Sequence, residues 1–220
     1  MSALVLFGTG SIARMAHHLF THDSPHDVVA CSVDRDHLDD GTVEGLPVVA
    51  FEEVATAYPP DQFGMFVAVG FRRVNRFRAA RYAQAKAMGY DLVTYVSSRA
   101  SIWPGVEIGD NTMVMDQVIV NPFVRIGNDT ILWSGSHVGH ESVVGDHCFI
   151  SSHAAVSGFA TIEDGAFLGT NCTIRDGITV ARESVIGAGA VISRDTRQGG
   201  VYTAPQATLL PLASDRLPSL

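Results

Sequence analysis

From Ile102 to Ile192 every sixth residue is aliphatic, with no slip of phase. The residue four positions after each aliphatic is mostly small: Thr112, Thr130, Ser136, Ser142, Cys148, Ala154, Ala160, Ala166, Cys172, Ser184, Ala190, Thr196. A fixed internal period has to be settled before any other pattern is read. Six fits neither an amphipathic helix nor an open alternating strand. It fits a short strand and a corner, repeated. Side chains two apart on a strand share a face, so the aliphatic and the small residue before it both point inward. The Gly, Asn and Asp residues that follow turn the corner. Three strands then close one triangular coil, and coils stack through parallel hydrogen bonding. The inner residue before each aliphatic is small because the bore is narrow, and the aliphatics stack along the axis as a continuous core.

The repeat takes the second half of a 220-residue chain, leaving room for one more unit ahead of it. No apolar run approaches the length of a membrane span. The opening MSALVLFG reads as a strand and a glycine turn, not a secretion signal. A net charge of −8 argues against unspecific nucleic-acid binding, which requires phosphates to be neutralised. Cys31, Cys148 and Cys172 suggest no disulfide framework, and the last two fall on inward positions of the repeat. A cytoplasmic protein with reduced core thiols is expected.

Ahead of the repeat, Ala3–Phe7 is an apolar run followed by GTGSIA (8–13), a helical stretch to about Phe20, and a second apolar run, Val28 to Val33, ending in Asp34. Further strands are expected at Leu46–Val49, Met65–Val69 and Asp91–Val96, with a basic helix from Phe71 to Gly89. Strand, glycine turn, helix, strand and acid is the order of a Rossmann-type α/β unit. Its glycines let a phosphate approach the helix N-terminus, and the acid can accept from a ribose hydroxyl. The bland alternative is a tight turn with no ligand. Arg72, Arg73, Arg76, Arg78 and Arg81 read either as a solvated helix face or, for Arg76 beyond the strand end at Gly70, as a diphosphate contact.

Four histidines crowd the middle coils: His137, His140, His147 and His153. Their spacing does not match the zinc sites known in this kind of coil, and no metal is expected. His140 and Glu141 fall on a corner. A neighbouring carboxylate can fix the tautomer of a general base and stabilise its imidazolium. Gly158 is one coil further in the same column, about 4.8 Å away. Its backbone N–H is a candidate donor to the oxyanion of an acyl-transfer intermediate.

Over VGHESVVGD and AVSGFATIEDGAFLGTNCTI (residues 138–146 and 155–174) the chain resembles the sugar acyltransferases of the sialic acid O-acetyltransferase and bacillosamine and perosamine N-acetyltransferase type. The resemblance implies a left-handed parallel β-helix of hexapeptide repeats, a handedness that spacing alone does not give. It implies His140 as catalytic base, Glu141 as the acid that raises its basicity, and Gly158 one coil on. It implies acetyl-CoA as co-substrate, lying along a groove that includes Thr170 and Ala188. Phe149 stands where the family often has a second histidine touching the thioester. A nucleotide-linked sugar would sit in the N-terminal unit on Gly8, Thr9, Gly10 and Asp34, and the protein would be a homotrimer with active sites between subunits. The glycine turn here is GTGSIA, where the family usually has a histidine as in GGHG.

The resulting expectation has three parts: residues 1–96, a Rossmann-like nucleotide-sugar unit; residues 97–198, a left-handed β-helix that transfers an acetyl group to an amino or hydroxyl group of the sugar; and residues 199–220, a tail. Two rivals stand beside it: a non-catalytic nucleotide-binding trimeric scaffold and a zinc-dependent hydratase of the same fold.

Overall fold

The structure is a computed structural model that describes residues 3–38, 41–211 and 214–216. Four strands open the chain: β1 (Ala3–Phe7), β2 (Asp27–Val33), β3 (Val48–Ala50) and β4 (Phe63–Val67). All pair in parallel, in the order β3-β2-β1-β4. Helices α1 (Ser11–Asp23), α2 (Val54–Ala57) and α3 (Arg76–Ala87) connect or follow them. Both faces of the sheet are covered, as apolar parallel strands require. Leu4 and Leu6 face α1 through Ala13, Ala16 and Phe20. Val5 and Phe7 face the other way, onto Phe51, Val54 and Ala85.

The expected last strand, Asp91–Val96, divides between the two parts of the molecule. Leu92 bridges to Met65 beside β4, whereas Tyr95–Val96 already pairs with Met113–Val114 as the first rung of the coil. From there two-residue strands recur every six residues to Val191–Ile192, and Val201–Tyr202 adds a closing rung on Val185–Ile186. They form three parallel sheets of seven, six and five strands. Partners are 18 residues apart, as in Ile131↔Phe149 and Val138↔Val156, except at the closing rung, where Val185 pairs with Val201. The arrangement fits a left-handed parallel β-helix. The small inward residues Thr112, Thr130, Ser136, Ser142, Cys148, Ala154 and Cys172 are fully buried beside the aliphatic stack. Of the expected tail, 212–213 and 217–220 lie outside the described residues.

The corners explain the sequence's Asx content. At Asp110, Asn128 and Asp146 the backbone N–H donates to the side-chain oxygen of the residue 18 further on: Asn128, Asp146 and Asp164, at 2.7–3.0 Å. Left-handed φ values follow at the next position, including Asn111, Asp129, Glu141, His147, His153 and Phe159.

The sheet and the coil share one core. Phe20 meets Tyr95 edge-on at 5.5 Å, and the buried cluster runs unbroken from Leu4 to Ile192. A buried polar knot reinforces the junction. Arg78 of α3 is fully buried and pairs with Asp129 at 3.2 Å. It also donates to the carbonyls of Asp129, His147 and Cys148 at 2.9–3.1 Å. Asn111 donates to Asp129 and accepts from the Val67 amide, both at 2.7 Å. Asn75 donates to the Gly165 carbonyl at 3.0 Å. A buried ion is tolerated only with this degree of satisfaction.

Candidate active site

His140 sits on the corner that follows Val138. The residue one coil on is Gly158, and the ring fills the space that glycine leaves: a Cβ on Gly158 would lie 2.7 Å from His140 Nε2 and 2.8 Å from Cε1. Phe159 supports the ring edge-on, centroids 5.0 Å apart at 87°. His140 is exposed, and its ring nitrogens have no partner among the described residues. The other central histidines differ. His147 Nδ1 is tied to Asp129 at 2.8 Å beneath the edge of Tyr82. His137 Nε2 accepts from Asn121 at 3.2 Å. His153 lies over Gly135, one coil back, on a different edge of the prism. A glycine one coil away is therefore not unique to His140. The family motif is the stronger sequence signal.

Several expected roles change. The Gly158 N–H is not free: it donates to Asp176 Oδ1 at 3.0 Å, as Asx corners do elsewhere in the coil. Its use as an oxyanion donor is therefore contradicted, and what Gly158 supplies is room for the imidazole. Glu141 makes no hydrogen bond or ion pair with His140 among the described residues. Its φ of 57° turns the chain, so its side chain lines a neighbouring hollow with Arg125 and Phe123 instead. Phe149 also differs from expectation. It is buried between Phe71, Trp133 and Phe167, with centroids 5.1–5.8 Å away, in the seam between sheet and coil. Thr170 is exposed and Ala188 lies on the surface of the same column, but they follow Leu168 and Ile186, on a different prism edge from His140. One chain does not bring them to it.

The second candidate region is a cavity of about 470 Å³ at the carboxyl ends of β1, β2 and β4. It unites Gly8, Thr9, Gly10 and Asp34, as expected, and adds His37, Phe71, Arg72 and Phe77. Gly8 has φ 124°, and a Cβ there would meet the Ala68 carbonyl oxygen at 2.9 Å. The close approach of β1 to β4 therefore requires glycine. Gly10 caps α1 without a side-chain bond, and the first amides of the helix have no intrahelical acceptor.

Arg76 does not line this cavity. It is ion-paired with Glu183 of the coil, with Nε at 2.8 Å from Oε1, so its expected diphosphate role is corrected. The basic run is sorted by geometry. The chain does not become helical at Phe71. Arg73, Val74 and Asn75 all have positive φ and form a left-handed turn that offers Phe71 and Arg72 to the cavity. Within α3, Arg78 points into the coil, and Arg81 reaches Asp34 at 2.7 Å. The residues that sequence reasoning misses are Arg78 and Arg81. Asn75, Arg78, Tyr82 and Lys86 recur at helical spacing, and the last three meet the coil's acidic corners Asp110 and Asp129. That polar periodicity is the signal that could have found them.

The family described as GMPPB C-terminal domain matches residues 92–201. Solved structures match 93–96% of the chain. Perosamine N-acetyltransferase from Caulobacter crescentus, as a single-site variant with CoA and GDP-perosamine, is 25% identical with a TM-score of 0.84, covering 93% of this chain and 94% of that one. The acetyltransferase domain of PglB from Neisseria gonorrhoeae FA1090 is 26% identical with a TM-score of 0.81, covering 96% and 100%. Its complex with acetyl coenzyme A gives 26%, 0.80, 94% and 98%. In architecture the whole chain is similar to these sugar acetyltransferases, and by the match over its coil it belongs to the GMPPB C-terminal domain family.

Proposed function

We propose that the protein transfers an acetyl group from acetyl-CoA directly to an amino or hydroxyl group of a nucleotide-linked sugar. The observation that carries this reading is the uncommitted imidazole of His140, held over Gly158 in a chain whose full-length relatives were solved with CoA or acetyl-CoA. The acceptor nitrogen or oxygen attacks the thioester carbonyl while His140 takes its proton. The tetrahedral intermediate then collapses. The carbon–sulfur bond breaks, and the thiolate leaves, taking the proton from the imidazolium. No cysteine or serine is hydrogen-bonded to the His140 ring among the described residues, which favours direct transfer over an acyl-enzyme. Glu141 contributes a nearby negative charge rather than a hydrogen bond.

In this reading residues 1–96 hold the nucleotide sugar in the cavity at Gly8, Thr9, Gly10 and Asp34, residues 97–198 carry the transfer, and 199–220 close the coil. CoA contacts at Thr170 and Ala188 require a second copy, because those residues and His140 occupy different edges of one prism. Exposed Trp103, Ile119, Phe123, Phe159 and Val191 border the His140 face and give a neighbouring subunit an apolar surface to cover. A homotrimer with shared sites fits both observations, in a cytoplasmic step of polysaccharide biosynthesis. The test is thiol release from acetyl-CoA across a panel of nucleotide-linked amino sugars. Release dependent on one acceptor supports transfer. CoA binding by thermal shift without release on any acceptor favours a scaffold.

A further inference from the structure

Asp34 directly follows β2 and lines the cavity, and its two carboxylate oxygens stand in different surroundings. Oδ2 accepts from Arg81 Nη2 at 2.7 Å, while Oδ1 has no partner among the described residues. Arg81 is itself held in place. Its guanidinium lies over the rings of Phe77, Phe7 and Phe51 at 5.0, 5.7 and 6.0 Å. It also donates to Gln84, and its Nε is buried without an acceptor. Phe7 and Phe77 are walls of the cavity as well. The cation is thus fixed between an aromatic box and the acid, behind the ligand surface rather than in it.

Two consequences follow from charge and geometry. A bare carboxylate would repel an incoming diphosphate, and the adjoining guanidinium offsets that charge. Oδ2 already faces Arg81, so the oxygen that Asp34 offers without a partner is Oδ1, whereas a grip on two parallel N–H groups of a nucleobase draws on both oxygens. A single oxygen in a fixed direction suits a single hydroxyl donor. We propose that Arg81 is a positioning residue that aims the free oxygen of Asp34 at a ribose hydroxyl, so that the cavity selects ribonucleoside diphosphates over those lacking these hydroxyls. This rests on the reading of the cavity as the nucleotide site.

The test is calorimetric titration of the full chain with UDP and GDP and with their 2′,3′-dideoxy counterparts, for the native protein, Arg81→Lys, Arg81→Gln and Asp34→Asn. The native protein should favour at least one ribonucleotide by on the order of 10-fold or more, the usual weight of a hydrogen bond to a charged group. Arg81→Gln and Asp34→Asn should bring that ratio close to one, and Arg81→Lys should keep part of it. A purely structural arginine would weaken both ligand classes and leave the ratio unchanged, which would overturn the inference. Equal binding of both classes by the native protein would overturn it too. If Arg81→Gln fails to fold, an unchanged ratio in Arg81→Lys does the same. Failure of the native protein to bind any of the four nucleotides would instead remove the cavity's role, and the inference with it.

Discussion

The imidazole of His140 occupies the space that a side chain on Gly158 would need, with its Nε2 2.7 Å from the position of the missing Cβ. Gly158→Ala should therefore push the ring off its seat without unfolding the coil, since the backbone there needs no glycine-only φ. Turnover should fall by on the order of 10²-fold, as for other small misplacements of a catalytic group. Nucleotide binding in the cavity at Gly8 and Asp34, which neither His140 nor Gly158 lines, should stay unchanged. Steady-state kinetics and a nucleotide titration on the same preparation check both halves.

At Gly8 the constraint is conformational as well as steric. Its φ is 124°, and the Ala68 oxygen lies 2.9 Å from where a Cβ would stand. Together these make Gly8→Ala costly by about 1–3 kcal/mol. A lowered thermal midpoint and weaker nucleotide binding are expected, with CoA binding retained.

The Arg78–Asp129 pair is fully buried. Arg78→Ala leaves an uncompensated carboxylate inside the junction, and such losses cost about 3–5 kcal/mol. For a chain of this size that corresponds to a thermal midpoint lowered by on the order of 10 °C. Arg76→Ala is the contrast. Arg76 is an exposed partner of Glu183, and its loss should change stability by less than about 1 kcal/mol. Thermal melts of the two variants side by side check the sorting of the basic run.

Asp23 closes α1 and accepts at Oδ2 from Ser98 N, Tyr95 Oη and Ser97 Oγ at 2.9, 2.8 and 3.2 Å. Bonds from Ser98, foremost, and from Tyr95 lower its pKa to about 2. A depressed native value means the carboxylate stabilises the fold above the ordinary pKa of 3.8 and loses that effect as pH falls through about 2. The difference in melting temperature between the native protein and Asp23→Asn should be constant near neutral pH. It should shrink between pH about 4 and about 2.

The coil is legible in the sequence because each of its inward positions repeats a local rule: aliphatic, small residue, corner. Even the Asx corners carry their own bond rule. The cavity at Gly8 and Asp34 is legible for a similar reason, since strand, glycine turn and acid are close in sequence. What spacing does not give is the commitment of groups across long separations. Arg78 and Asp129 are 51 residues apart, and Arg76 and Glu183 107 apart; nothing local distinguishes a buried arginine from an exposed one two positions away. Nor does column alignment reveal that Asp176, a further coil on, takes the Gly158 amide. The turn at Arg73–Asn75 reads as helix because three successive left-handed non-glycine residues are disfavoured locally. Only the Asn75 bonds to the coil explain how the fold holds them.

In the proposed mechanism His140 takes the acceptor's proton during acetyl transfer. The most direct measurement is the rate of thiol release from acetyl-CoA by the native protein and by His140→Ala, with a nucleotide-linked amino sugar as acceptor and CoA affinity measured in parallel. Turnover should fall by on the order of 10² or more while CoA affinity is kept. Turnover within a few-fold of native would contradict that mechanism.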